Sequence, residues 1–175
     1  EKVTRWMRGV DNVKFNPSHR NNFWRFRFGA PEKIIVGFVG RLAREKQVER
    51  LAEVAQLKNV SIVIVGDGPC REKLERLMPD AHFTGFSTGN ELSQLYASFD
   101  VFAHTGVDET FCQSVQEALA SGVPVIAPAV GGPLDLVQHG HNGFLWSPHR
   151  NDTLFESVYE IVTNHAVREL CAKNA

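Results

Sequence analysis

From residue 33 onward the apolar residues fall into short unbroken runs, separated by longer stretches where they recur every three or four positions. Ile34-Ile35-Val36-Gly37-Phe38-Val39 is the first run, and Gly40 closes it. An unbroken run without alternation predicts a strand covered on both faces. Residues 45–57 carry Val48, Leu51, Ala52, Val54 and Ala55 at helical spacing. A second buried strand is expected over 61–65, closed by Gly66-Asp67-Gly68-Pro69, then a charged helix over 71–78. The series continues with a strand at 82–84, a helix at 89–98 and a strand at 100–104. A helix over 113–121 stops at Gly122, and a strand follows at 124–127. Last come a turn and short helix at 131–139, a small strand at 143–145 and a helix at 154–163. Residues 1–32 fit neither period. Gly9, Pro17, Gly29 and Pro31 interrupt them, and Phe23, Trp24, Phe26 and Phe28 stand among basic residues. They read as an irregular lead-in and interdomain segment before a single unit over 33–175.

Strands alternating with helices predict βαβ units, a parallel sheet and right-handed crossovers. The expected fold class is α/β, a Rossmann-like, doubly wound parallel sheet. On such sheets ligands bind outside the carboxyl ends of the strands. The loops after Val39, Val65, Thr84, His104 and Ala127 are therefore where chemistry belongs.

Composition narrows the partners. A chain of 175 residues can build one full core, and 43% apolar with 22% charged residues is ordinary for a globular domain. A formal net charge of −1 gives no overall basic field for nucleic acid or for an anionic membrane. The longest apolar stretches, such as 123–130, are far short of a membrane span. Cys70, Cys112 and Cys171 have no metal-type spacing, and Asp135, His139 and His141 form only a loose group, so no metal site is expected. No signal peptide is visible and the chain opens on Glu1 instead of Met; a cytoplasmic protein is expected, with a peripheral contact at the inner face of the membrane through a domain not in this chain.

The first loop reads Gly40-Arg41-Leu42-Ala43-Arg44-Glu45-Lys46. It is neither a dinucleotide fingerprint nor a P-loop. It sets two cations at a strand-to-helix junction, where Arg41 could grip phosphate oxygens in a fork and Lys46 add a point charge. Solvated surface charge is the equal alternative. The loop after the fourth strand says more. Glu109 falls in the loop and Glu117 two turns into the helix, and between them the amides of Phe111, Cys112 and Gln113 suit an anion. Carboxylates flanking an anion site suit a sugar–phosphate–ribose ligand. An ordinary capping acid would explain Glu109 alone, and an exposed helix charge Glu117, although Glu117 lies in an otherwise apolar segment.

Glu109 and Glu117, with seven residues between them, match the E-x7-E signature of GT-B glycosyltransferases. The chain resembles family GT4 from Arg8 to about Thr163. Gly9-Val10-Asp11, Phe15-Asn16-Pro17, the Gly40–Lys46 loop, Val65–Pro69, Phe83-Thr84-Gly85 and Ala120–Ala127 all fall in that family's order. Residues 45–49 and 109–113 further resemble GDP-mannose-dependent mannosyltransferases that build actinobacterial glycolipids. The resemblance implies the C-terminal, donor-binding half of a retaining GT-B enzyme, with the acceptor-binding N-terminal domain upstream; the basic and aromatic stretch Arg20–Phe28 is expected to pack against that domain, with a membrane contact as the lesser alternative. It implies that Arg41 and Lys46 bind and stabilise the donor diphosphate, and that Glu117 takes the ribose hydroxyls. Glu109 would hold the transferred sugar, backbone around Phe83 and Thr84 would meet the base, and Gly40, Phe111, Cys112 and Gln113 would line the phosphates. Catalytic weight would rest on Arg41, Lys46 and Glu109, with GDP-mannose as donor, a lipid or glycan acceptor, and no metal or other cofactor. The chain departs from the pattern at Gln47 and Cys112, where many relatives carry Gly, and at Asp135, where they carry Glu. A sugar-nucleotide 2-epimerase shares the architecture. A non-catalytic flavodoxin-like phosphate-binding module would want an acidic cluster after its third strand, and Thr84-Gly85-Phe86 offers none.

Overall fold

Six apolar runs form the strands of one sheet in the computed structural model, which describes residues 9–150 and 153–175. They are β1 (Ile34–Val39), β2 (Val60–Val65), β3 (His82–Gly85), β4 (Val101–Ala103), β5 (Val125–Pro128) and β6 (Gly143–Trp146). Their order is β3-β2-β1-β4-β5-β6, and every pair is parallel. β1 and β2 pair along their whole length, from Ile34 beside Val60 to Val39 beside Val65. Helices cover both faces: α1 (Asn22–Arg27), α2 (Arg71–Leu77), α3 (Gly89–Ser98), α4 (Gln113–Ala120), α5 (Thr153–Thr163) and α6 (His165–Lys173).

The unbroken runs are explained by two cores. Val36, Phe38, Ile62, Ile64 and Ile126 point to one face, against Leu74, Met78, Val158 and Ile161. Their neighbours Ile35, Val63, Val65, Phe102 and Val125 point to the other, against Leu95, Tyr96, Phe99, Val115 and Ala118. Gly37 leaves room for the Phe99 ring to lie against β1; a Cβ there would overlap it.

Three features differ from the sequence expectation. Residues 45–57 are not one α-helix but three 3-10 segments, Arg44–Lys46, Val48–Ala52 and Val54–Gln56. The reason is in the spacing: Val48, Leu51, Val54 and Leu57 recur every three residues and turn inward together, which suits three residues per turn better than 3.6. Gln47, at φ 48°, turns the chain between the first two segments. The helix expected within 131–139 shortens to a 3-10 turn, Gly132–Asp135. Beyond Thr163, α6 adds a helix capped by Asn164, whose side chain accepts from the Val167 amide.

The lead-in segment holds more order than its punctuation suggests; its residues 1–8, including Arg8 where the family resemblance begins, lie outside the described residues. Asn21 caps α1 by accepting from the Phe23 amide, and Phe15, Phe28 and Ala30 join the core of the α3–α4 face. Asp100, just before β4, ties this segment down. Its Oδ1 accepts from Arg20 at 2.8 Å and Arg25 at 2.9 Å, and its Oδ2 from the Ile35 amide at 2.9 Å. The Asp100 side chain is 11% exposed, so removing it would leave Arg25 and a strand amide unpaired in a partly dry place. Asp100→Ala is expected to cost about 2–4 kcal/mol. Urea unfolding followed by circular dichroism checks this, with Asp100→Asn expected to cost less because its amide oxygen can still accept.

Candidate functional site

The crossover from β1 leaves toward β2, and the chain from β4 leaves toward β5. Their two loops therefore part at the middle of the sheet and open a crevice at its carboxyl end, the switch point of a doubly wound fold. The first loop is stitched to the loop after β2. Gly40 donates to Val65, Leu42 to Asp67 at 2.9 Å, and Cys70 back to Leu42 at 2.9 Å. Leu42 is wholly buried by this pairing and Arg41 is turned out to water. The Arg41 side chain makes no hydrogen bond or ion pair with any described residue, although its carbonyl accepts from the Ala43 amide at 3.0 Å. It lines a cleft of about 490 Å³ with Gly40, Gly66, Asp67, Phe86, Ser87 and Leu92.

Lys46 reaches across the switch point and pairs with Glu109. Backbone contacts fix both partners. Thr105, two residues past β4, donates its hydroxyl to the Lys46 carbonyl at 2.5 Å. Gly132 donates its amide to the Glu109 carbonyl at 2.9 Å. Gly131, at φ 62°, lets that turn approach: a Cβ there would stand 2.5 Å from the Glu109 carbonyl oxygen. The pair is three-quarters or more buried, with 25% and 18% of the side chains exposed, so solvent screens it only in part.

Beneath the pair the groups are neutral. His104 is 3% exposed, its Nδ1 makes no hydrogen bond of normal geometry, and burial, with Lys46 adding to it, lowers its pKa to about 4 against the opposing pull of Glu109. Cys112 turns its thiol inward, 3.9 Å from His104 Nε2, and burial with the Glu109 charge pushes that thiol up to about 12. This answers the departure from Gly at 112. The Cys112 side chain points away from the helix end, and the thiol is no nucleophile. As the residue preceding α4, Cys112 makes no side-chain cap, so the first-turn amides of α4 have none from it. Phe111 beside it is 40% exposed, and Gln113 donates to Glu117 at 3.1 Å.

Glu117 is half-buried. Burial raises its pKa, while Tyr96, Gln113 and Lys14 hold it down. The wholly buried Tyr96 hydroxyl faces it without completing a hydrogen bond of normal geometry.

Of the expected site residues, the structure brings Gly40 and Arg41 together in the cleft, and Lys46 with Glu109 over the switch point. It does not put Phe83 and Thr84 in the cleft wall. Phe83 packs against the core, and the Thr84 hydroxyl bonds within the sheet. The cause is register: β3 runs on through Gly85, beside Val65, after a shift between Ile64 and Val65, so the strand's mouth falls at Phe86 and Ser87. Asp67, Ser87 and Leu92 are further cleft residues that no motif marked, although Phe86 and Ser87 directly follow a strand. Among the described residues no group of three His, Cys, Asp or Glu side chains could hold a metal ion. Asp135 falls in the 3-10 turn, and His139 instead accepts from the Leu145 amide through Nδ1.

This strand order, with its crevice at the carboxyl end, is that of the C-terminal half of a GT-B fold. The Anabaena protein HepE, solved in complex with UDP-glucose, superposes at a TM-score of 0.83 with 28% identity, covering 95% of this chain and 49% of its own. Residues 20–175 match the family model of the glycosyl transferases group 1, and the chain belongs to that family. It is 56% identical over 144 residues to a GDP-mannose-dependent alpha-mannosyltransferase of Mycobacterium tuberculosis, across 82% of this chain and 38% of that protein. It is 46% identical over 172 residues to the protein of the same description from Corynebacterium glutamicum, across 97% and 42%. The chain thus spans about two-fifths of the length of these relatives.

His104 gives the site floor a pH signature. Its folded-state pKa lies below the unfolded value, so between pH 6.5 and about 4 only the unfolded chain binds the proton. Stability is full above pH 6.5 and falls by up to about 3 kcal/mol as pH drops through that window. Urea midpoints measured across it should show the loss, and His104→Leu should remove this part of the slope.

Proposed function

We propose that this chain is the donor-binding half of a retaining glycosyltransferase that moves mannose from GDP-mannose to a glycolipid or glycan acceptor. Residues 33–175 form the nucleotide-sugar unit and 1–32 lead into it from an acceptor-binding domain upstream. One observation carries the reading: an arginine side chain without a partner, a lysine–glutamate pair and a helix start without a side-chain cap all stand in the loops at the carboxyl end of a GT-B sheet. The names of the relatives support the donor.

The roles follow from where charge moves. A nucleoside diphosphate leaving an anomeric carbon gains negative charge, which Arg41, Lys46 and the first turn of α4 would meet. Lys46 would then divide its charge between the diphosphate and Glu109. Glu109, held rigid by Gly131 and Gly132, would accept from hydroxyls of the transferred sugar and favour positive charge at its ring. Glu117 would accept from the ribose, and the cleft of Arg41, Asp67, Phe86 and Ser87 would take the base end. The proposal supplies all positive charge from side chains and helix amides, and so expects transfer to persist in excess chelator.

Donor-saturation kinetics on the full-length enzyme test it. Arg41→Ala is expected to lower kcat/KM by roughly 30- to 1000-fold, with part of the loss in kcat, since a charge-assisted bond in a closed cleft contributes about 2–4 kcal/mol. Glu117→Gln should mainly raise KM. Tighter binding of UDP than of GDP by the parent enzyme would sink the donor assignment. Loss of turnover in chelator, restored by magnesium or manganese, would sink the charge assignment.

A further inference from the structure

The amino end of the sheet, opposite the crevice, has a chemistry of its own. α1 lies there. Arg20 and Arg25 bond the carbonyls of Ala97, Ser98 and Phe99 where α3 ends, and Asp100 links both to the Ile35 amide near the start of β1. Trp24 and Phe28 face inward with rings stacked 5.7 Å apart, and Phe28 meets His82, at the start of β3, at 5.2 Å. Phe23 and Phe26 face outward, 60% and 68% exposed. Single exposed apolar residues are commonplace, but two phenylalanines on one turn of a six-residue helix make a patch.

That patch is fringed by positive charge. The Arg27 guanidinium stands 5.8 Å over the Trp24 ring, and both Arg27 and Lys33 are close enough to His82 to add to the lowering of its pKa that burial begins. A cleft of about 570 Å³ continues from Lys33 and His82 past Lys58 and Asp80, with Leu57 and Leu77 in its walls. Arg20 and Arg25 are taken up by Asp100 and the α3 carbonyls, so the cations left to face outward here are Arg27, Lys33 and Lys58, against the carboxylates of Glu32 and Asp80.

The upstream domain is a poor occupant. A domain closing on the crevice meets the carboxyl ends of the strands, and a six-residue strand sets α1 about 20 Å from them. Exposed aromatic side chains ringed by arginine and lysine fit an interface that is apolar inside and anionic outside. We propose that α1, with Lys33 and Lys58 beside it, is a peripheral docking surface for an anionic lipid bilayer. The phenylalanines enter the acyl boundary while the guanidinium and ammonium groups stay among the phosphates. Two rings and a small surplus of charge make this contact reversible and salt-sensitive. It does not depend on which sugar donor the crevice takes.

The test is co-sedimentation of the full-length protein with phosphatidylcholine vesicles, with and without one-third phosphatidylglycerol. Phe23→Ser with Phe26→Ser should weaken binding to the anionic vesicles by roughly tenfold or more. Arg27→Gln with Lys33→Gln should reduce the preference for anionic over neutral vesicles by a similar factor, about fivefold per charge. Unfolding midpoints should stay near the parent value, because all four side chains are exposed. A Phe26→Trp variant reads the location directly: its added emission should shift to the blue and be quenched by brominated acyl chains. Vesicle binding unchanged in both double variants, or Trp emission unquenched in bound protein, would overturn the proposal even if the protein binds membranes elsewhere.

Discussion

A parallel sheet buried on both faces leaves its polar chemistry nowhere to go but the two ends, and most of this molecule follows from that. Ile35 and Val36 are both fully buried, as are Val63 and Ile64, so no strand offers a wet face on which a site could form. At the carboxyl end the loops arrive with free amides and glycine turns, and the helix that follows β4 points its positive end there. The reversal of direction between β1 and β4 separates two of those loops, and Lys46 and Glu109 meet across the gap.

The crevice owes as much to what is uncharged as to what is charged. The Lys46–Glu109 pair rests on a neutral imidazole and a neutral thiol, both held so by burial. A protonated His104 would offer Glu109 a second cation and loosen its hold on Lys46. A thiolate at Cys112 would repel the carboxylate. The floor keeps the pair's electrostatics a matter between its two members and whatever ligand joins them.

Much of this was legible in the sequence where local pattern and tertiary demand agree. The runs at Ile34–Val39 and Val60–Val65 could be little other than buried strands, and Glu109 and Glu117, with seven residues between them, pointed to the loop in which Glu109 meets Lys46. What was not legible depends on distance in the chain. Nothing local says that Arg20 and Arg25 will find Asp100, or that Phe15 and Phe28 close one core. The shift that moves the cleft wall from Phe83 and Thr84 to Phe86 and Ser87 belongs to the pairing of β2 with β3 and to neither strand alone. The direction of the Cys112 side chain was open for the same reason. The inward stripe at Val48, Leu51, Val54 and Leu57 is a different case, since its period of three was in plain view and reads as helical until the pitch is asked for.

That pitch sets the reach of the first crossover. A 3-10 segment rises about 2.0 Å per residue, so the stretch 48–57 spans about 20 Å, where an α-helix of the same residues would span about 15 Å. A six-residue strand advances about 20 Å, which is the distance the chain must retrace before β2 can start level with β1. The tighter winding therefore lets a short crossover run the full height of the sheet. One end of that strut carries Lys46, held at its carbonyl by Thr105, and the other hands the chain to Val60 beside Ile34.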